Sequence, residues 1–290
     1  MAEDADSAPG FYRLELAPEG AERLVLRFSE ADISAAPAEG SEIVVEFELR
    51  GSHAAVDCWK PSIRRIEGIL VMGEESGTVK VSELRLKLPV AIRDLEIHGR
   101  SGDIEIHELS IGLVAETQSG RVRVIGGASL EAKTIDGDIE IEETGLSQIS
   151  TQSGRIKAVK PEGRMTATSD SGDIEVDDSA ADLYLQTETG EIAVNRPRGR
   201  VRAISQGGDV EIEAPEPFGG GEANTTSGHI GLSLQGASLE LRAETLSGRL
   251  KTPHGEVGNN AGPRRAALTV AGGGRRLHAK SVSGDIDIDF

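Results

Sequence analysis

The sequence is short of the residues that hold most domains of its size together. One cysteine, Cys58, occurs in 290 residues. An intrachain disulfide framework and any multi-cysteine zinc or iron–sulfur site are therefore excluded. Aromatic residues make up only 3% of the chain, so a core of interlocking large side chains is not available. Basic residues are also scarce, with 31 Lys and Arg against 49 Asp and Glu, for a net charge of -18. This balance argues against nucleic acid as a partner, because phosphate binding rests on clustered Lys and Arg. It argues equally against adsorption to an anionic membrane surface. No apolar run approaches the roughly 18 residues that cross a bilayer, which speaks against direct membrane insertion. The opening MAEDADSAPG lacks the basic and apolar regions of a secretory signal. The expected location is cytoplasmic, with membrane association only through a partner.

Glycine is plentiful, with 36 residues, and its placement is periodic. SGDIEI (101–106), SGRVRV (119–124), DGDIEI (136–141) and SGRIKA (153–158) are four instances of one unit. It continues as SGDIEV (171–176), TGEIAV (189–194), GGDVEI (207–212), SGHIGL (227–232), SGRLKT (247–252) and SGDIDI (283–288), with an irregular instance at SGTVKV (76–81). The step between glycines is 17 to 20 residues, mostly 18, up to Gly248; the last step, to Gly284, is 36 and reads as two periods with one degenerate unit. Aliphatics recur two and four residues after the glycine, as in Ile174 and Val176, and seven and five before it, as in Leu183 and Leu185. Three before it stands a hydroxyl: Thr117, Thr134, Thr151, Ser169, Thr187, Ser205, Thr225, Thr245 or Ser281.

These are two period-2 patterns meeting at a turn, and no helical spacing is present. Each unit is predicted to be a strand, a tight Ser-Gly turn with the glycine at positive φ, a second strand and a return loop. Four buried aliphatics give roughly 6–12 kcal/mol per unit. Ordering the backbone of about 18 residues costs on the order of 18–36 kcal/mol. A unit cannot stand alone and must stack on its neighbours. The predicted fold is all-β, a parallel β-solenoid (β-helix) of ~18-residue rungs.

Outward charges support one rung per unit. Asp103/Glu105, Arg121/Arg123, Asp138/Glu140, Arg155/Lys157 and Asp173/Glu175 alternate in sign. Stacked one rung apart, acids meet bases at roughly 4.8 Å. The alternation then stops, at Asp173, Glu191 and Asp209 with Glu175 and Glu211 beside them. This is either a solvated acidic face or a strip for a cation or cationic peptide. Calcium-binding rolls need G-G-x-G-x-D turns, which are absent.

Residues 1–60 lack the repeat but show strand alternation and hold Phe11, Phe28, Phe47 and Trp59. They read as a β-rich cap over the first open edge, with residues 61–290 as the solenoid continuous with it. The other end stops at Phe290 inside the last repeat strand. There Asp285 and Asp287 would guard an open edge, the segment 253–280 would fold over it, or a second copy would dock, making a homo-oligomer.

No H-E-x-x-H, G-x-S-x-G or phosphate-loop pattern occurs. His98 and His107 read as surface or turn residues, and Cys58-Trp59-Lys60-Pro61 as cap packing. No cofactor or metal is expected. β-Helices do host carbohydrate-active enzymes, but here the acids are dispersed by the repeat and few aromatics are available as sugar platforms.

The Ser-Gly-Asp-Ile-Glu-Ile unit, led by LKLPVAIRDLEIHGRSGDIEI (86–106), resembles the bacterial putative-adhesin domain family. The resemblance covers roughly residues 60–290 and extends to the cap. It implies a parallel β-helix without catalytic residues and, in some relatives, a link to cell-envelope stress sensing. The expected function is a non-catalytic interaction scaffold that engages a protein or cationic peptide. The alternatives are a self-assembling structural protein and, third, a β-helical carbohydrate-active enzyme.

Overall fold

The computed structural model describes residues 7–74, 78–257 and 262–290. The expected irregular turn at Ser76-Gly77 lies outside the described residues. Apart from one short helix, His53–Cys58, the regular elements are strands. The chain divides into two compact units, residues 1–140 and 141–290. In each, parallel strands stack in two sheets, and the fold is a parallel β-solenoid.

Each repeat supplies one strand to each sheet. In the second unit, Met165–Ser169 precedes the glycine and Ile174–Asp177 follows it. Met165 pairs with Leu183 and Leu183 with Val201, while Ile174 pairs with Ile192 and Ile192 with Val210. One repeat is therefore one rung. The first unit has the same register, with Leu95 beside Leu113 and Ile104 beside Val122. Arg121 donates its amide to Asp103 Oδ1 at 2.8 Å, and the Arg123 guanidinium meets Glu105 at 3.3 Å. Acid stacks on base, as the sign alternation requires. Inside, Ile and Val from the post-glycine strands face Leu and Ala from the return strands, and all of these are buried. The core is thin enough that aromatics are not needed to fill it.

The repeat glycine has a different cause from the one expected. Gly102 has φ of +120°, but Gly120, Gly137, Gly172, Gly190, Gly208, Gly228, Gly248 and Gly284 lie outside the positive region. A Cβ at Gly190 would collide with the carbonyl of Gly172, and one at Gly208 with that of Gly190. Glycine recurs because the backbones of successive rungs touch at this corner. The left-handed conformation sits six residues later, at Glu108, Glu143, Lys160, Asp178 and Arg196, with φ between 48° and 55°.

The buried hydroxyls complete the same corner. Thr187 Oγ1 accepts from the Gly190 amide at 3.1 Å and donates to the Gly172 carbonyl at 3.3 Å. Ser205 repeats this with Gly208 and Gly190, and Thr225 with Gly228 and Gly208. Each hydroxyl thus satisfies itself, a turn amide and a carbonyl of the next rung.

In neither unit do the strands stack in chain order throughout. In the first unit, Arg23–Arg27 lies parallel between Ile69–Gly73 and Asp94–His98. Asp32–Pro37 lies between Lys80–Leu88 and Ile104–His107. Residues 23–37 are thus a rung slotted among later ones. The strands Ser7–Leu16 and Ile43–Ser52 pair antiparallel beyond it, over Tyr12, Phe28, Phe47 and Trp59, whose ring centroids lie 5.1 to 6.1 Å apart. In the second unit, Arg275–Ser281 lies between Gly221–Thr225 and Leu239–Thr245. Ile286–Asp289 lies between Ile230–Ser233 and Leu250–Thr252.

This corrects the reading of the C-terminal end. The final strand is paired on both sides, and Asp285 and Asp287 guard no open edge. Among the described residues, the 36-residue step contains no degenerate rung. Its chain runs outward instead, and Arg264–Val270 pairs antiparallel along Leu239–Thr245. Of the alternatives foreseen there, the one in which the 253–280 segment covers the edge describes this sheet.

Candidate interaction faces

A charged residue's role in a solenoid depends on whether its column points outward and what the next rung places beside it. In the second unit, the positions one, three and five after the glycine point outward on the post-glycine sheet. Asp173, Glu191 and Asp209 occupy the first position on successive rungs, and Glu175 and Glu211 the third, separated by Ala193. The structure therefore brings all five together on one sheet face.

The two aspartates are also structural. Asp173 Oδ1 accepts the Glu191 amide at 3.0 Å, and Asp209 Oδ1 accepts the His229 amide at 2.7 Å. Asp32 does the same for Asp103, Asp103 for Arg121, and Asp285 for Arg249. The aspartate of the repeat satisfies a turn amide of the neighbouring rung, a duty that spacing alone did not reveal. The Glu191 carboxyl is pushed above the ordinary carboxylate value, first by partial burial and then by the negative charges of Glu211, Asp173 and Asp209. The strip is therefore electrostatically strained when fully ionised. Bases border it: Lys157 pairs with Glu175 at 3.2 Å and Arg155 with Asp173 at 3.9 Å.

Farther along the same sheet, Gly231 leaves a gap in the third column between Glu211 and Asp287. A groove of about 560 Å³ opens there, lined by Glu211, Glu213, Asp287, Asp289 and Lys251. Asp285 is held by the Arg249 guanidinium at 2.6 Å. Phe290, 37% exposed, follows the last strand.

The return sheet of this unit differs. Six residues before the glycines stand Thr166, Tyr184, Arg202 and Glu222, side by side on successive rungs. With Arg164, Asp182 and Arg200 they line a groove of about 460 Å³. Sequence reading passed over this column because only the inward positions before the glycine are uniform. Its signal is an isolated aromatic at an outward offset.

The remaining chemistry-bearing residues are paired or apart. His98 lies 2.5 Å from Glu96 and 3.0 Å from Glu116, and His107 lies 3.1 Å from Glu105. Cys58 is exposed at the end of the short helix, while the adjacent Trp59 packs on Phe47. Among the described residues, no group of three His, Cys, Asp or Glu is placed to hold a metal ion. No helix among them is long and apolar enough to cross a membrane.

Comparison with known proteins adds the family. A putative cell adhesion protein from Clostridium sporogenes ATCC 15579 aligns over 97% of this chain and 99% of its own, at 12% identity and a TM-score of 0.31. A putative adhesin from Parabacteroides merdae ATCC 43184 aligns over 81% and 95%, at 7% identity and a TM-score of 0.30. No curated protein matches the chain. The Toastrack DUF4097 pattern matches residues 68–166 and again 129–289, which together take in most of the stacked rungs. The chain belongs to the Toastrack DUF4097 family.

Proposed function

We propose that the protein is a non-catalytic interaction scaffold that engages a protein or cationic peptide through the acidic post-glycine face of residues 141–290. A cytoplasmic regulatory role in cell-envelope stress sensing is the setting this reading favours. One observation carries it. Asp173, Glu191 and Asp209 stack on consecutive rungs, and Glu191 sits above its ordinary pKa first because it is partly buried and then because its neighbours repel it. A cationic group placed there would relieve that repulsion.

The test is titration of the full chain with a cationic amphipathic peptide at low and high salt. Binding is expected to weaken strongly with salt and to fall again in a Glu191→Gln, Glu211→Gln double variant. Affinity that ignores both salt and the substitutions would sink the reading.

A second reading, self-assembly, is favoured by the other end of the chain. Ser7–Leu16 is the outermost strand of its sheet, and its Phe11 is 80% exposed.

A further inference from the structure

The return-face groove has a composition that the stacking of rungs does not explain. Tyr184 is half-buried, and the Arg202 guanidinium lies over one face of its ring, 5.5 Å from the centroid. Glu222 holds Arg202 from the far side at 3.3 Å. Asp182 directs Oδ1 to the Arg200 amide at 2.9 Å, as the other structural aspartates do. The side chains of Arg164 and Arg200 have no ion-pair partner among the described residues. Six other arginines of this unit have one, including Arg196 with Asp178, Arg249 with Asp285 and Arg265 with Glu244, while Arg198, Arg242, Arg264 and Arg275 have none among the described residues. What sets Arg164 and Arg200 apart is that these two unpaired guanidinia line one groove with an aromatic, in a chain of net charge -18.

The parts fit one chemistry. The face of Tyr184 away from Arg202 offers a platform for the C–H face of a sugar ring. A guanidinium fork matches a carboxylate bidentately. Glu222 and the free oxygen of Asp182 can accept from hydroxyls. Those two carboxylates, with the net charge, disfavour a polyphosphate or other dense polyanion. A neutral sugar would leave the guanidinia unused. The volume of about 460 Å³ suits one or two sugar rings.

We propose that Tyr184, Arg200 and Arg164 form a binding site for a uronic-acid-bearing saccharide, with the ring stacked on Tyr184 and its carboxylate held by the guanidinia. The site lies on the sheet opposite the acidic strip of the same unit and is independent of the role assigned to that strip.

Isothermal titration of the full chain with trigalacturonate tests it, with galactotriose and a sugar phosphate in parallel. Trigalacturonate is expected to bind most tightly. Tyr184→Ala and Arg200→Gln should each weaken it roughly tenfold, while Tyr184→Phe retains it. Arg200 is exposed, so the Arg200→Gln variant tests the site even if Tyr184→Ala perturbs the sheet. The proposal is overturned by absence of trigalacturonate binding, by equal binding of galactotriose, by tighter binding of the sugar phosphate, or by an affinity unchanged in Arg200→Gln.

Discussion

The start of the first unit and the end of the second solve the same problem with unlike materials. A parallel stack must end in an open sheet edge, which invites unwanted pairing. At both ends the chain runs past its neighbour, turns antiparallel along the outside and slots a rung back inside. At the start, the inserted rung is residues 23–37 and the cover is two ten-residue strands over four packed aromatics. At the finish, the inserted rung is residues 275–289 and the covers are Arg264–Val270 on one sheet and the two-residue strand Gly255–Glu256 on the other, with no ring cluster there among the described residues. Topology is shared, while the apolar mass differs. Closure therefore depends on the crossing chain, and the aromatics add to it at one end only.

The largest expected effect separates inserted from covering segments. Deleting residues 283–290 removes a strand paired on both sides, together with buried Ile286 and Ile288. It should cost more than about 5 kcal/mol and abolish cooperative melting of the last rungs. Deleting residues 1–16 removes an outermost strand together with Tyr12 of the ring cluster, and should leave the remaining stack melting cooperatively. Thermal melts of the two truncations check the ranking, and the reverse order would break the comparison.

Next in size are the glycines that touch each inserted rung. A Cβ at Gly102 would run into Ala31 at the first end, and one at Gly284 into Gly228 at the second. Alanine at either is expected to cost roughly 3 kcal/mol in urea unfolding. Alanine at Gly20, where φ is +83° and nothing lies within 4 Å, should cost only about 1 kcal/mol. Equal costs at all three positions would mean that backbone contact does not explain the repeat.

The smallest effect is acid sensitivity at the second end. Asp285 lies below its ordinary value of 3.8 because it accepts from the Arg249 amide and then from its guanidinium. A depressed carboxylate adds stability above its unfolded value, and that stability is lost as pH falls through the folded one. Asp285→Asn should therefore lower stability at neutral pH and flatten its decline below about pH 4. An unchanged acid limb would show that the pair adds nothing measurable to this closure.

What the amino-acid order revealed, and what it hid, has physical reasons. The aliphatic and hydroxyl columns were legible because each fills the same place on every rung. The cause of the glycine was not, because a close backbone and a left-handed turn both select that residue. The true left-handed corner carries Glu, Lys, Asp and Arg, which announce nothing. Rung order was invisible too. In-register parallel pairing sets Ile286 equally well beside Ile230 or Leu250, so the pattern is blind to which strand intervenes. Of the interaction faces, the acidic strip could be read from the end of the sign alternation. The Tyr184 column could not, since no uniform property runs along it.

The glycine–hydroxyl corner has a consequence for growth of the structure. Between residues 165 and 233 each layer meets its neighbours through one repeated set of contacts, and the two closures are built elsewhere. A duplication or loss of one layer there would leave both closures intact. The second unit can thus change its own length in steps of about 4.8 Å and carry a recognition column nearer to, or farther from, its closing strands.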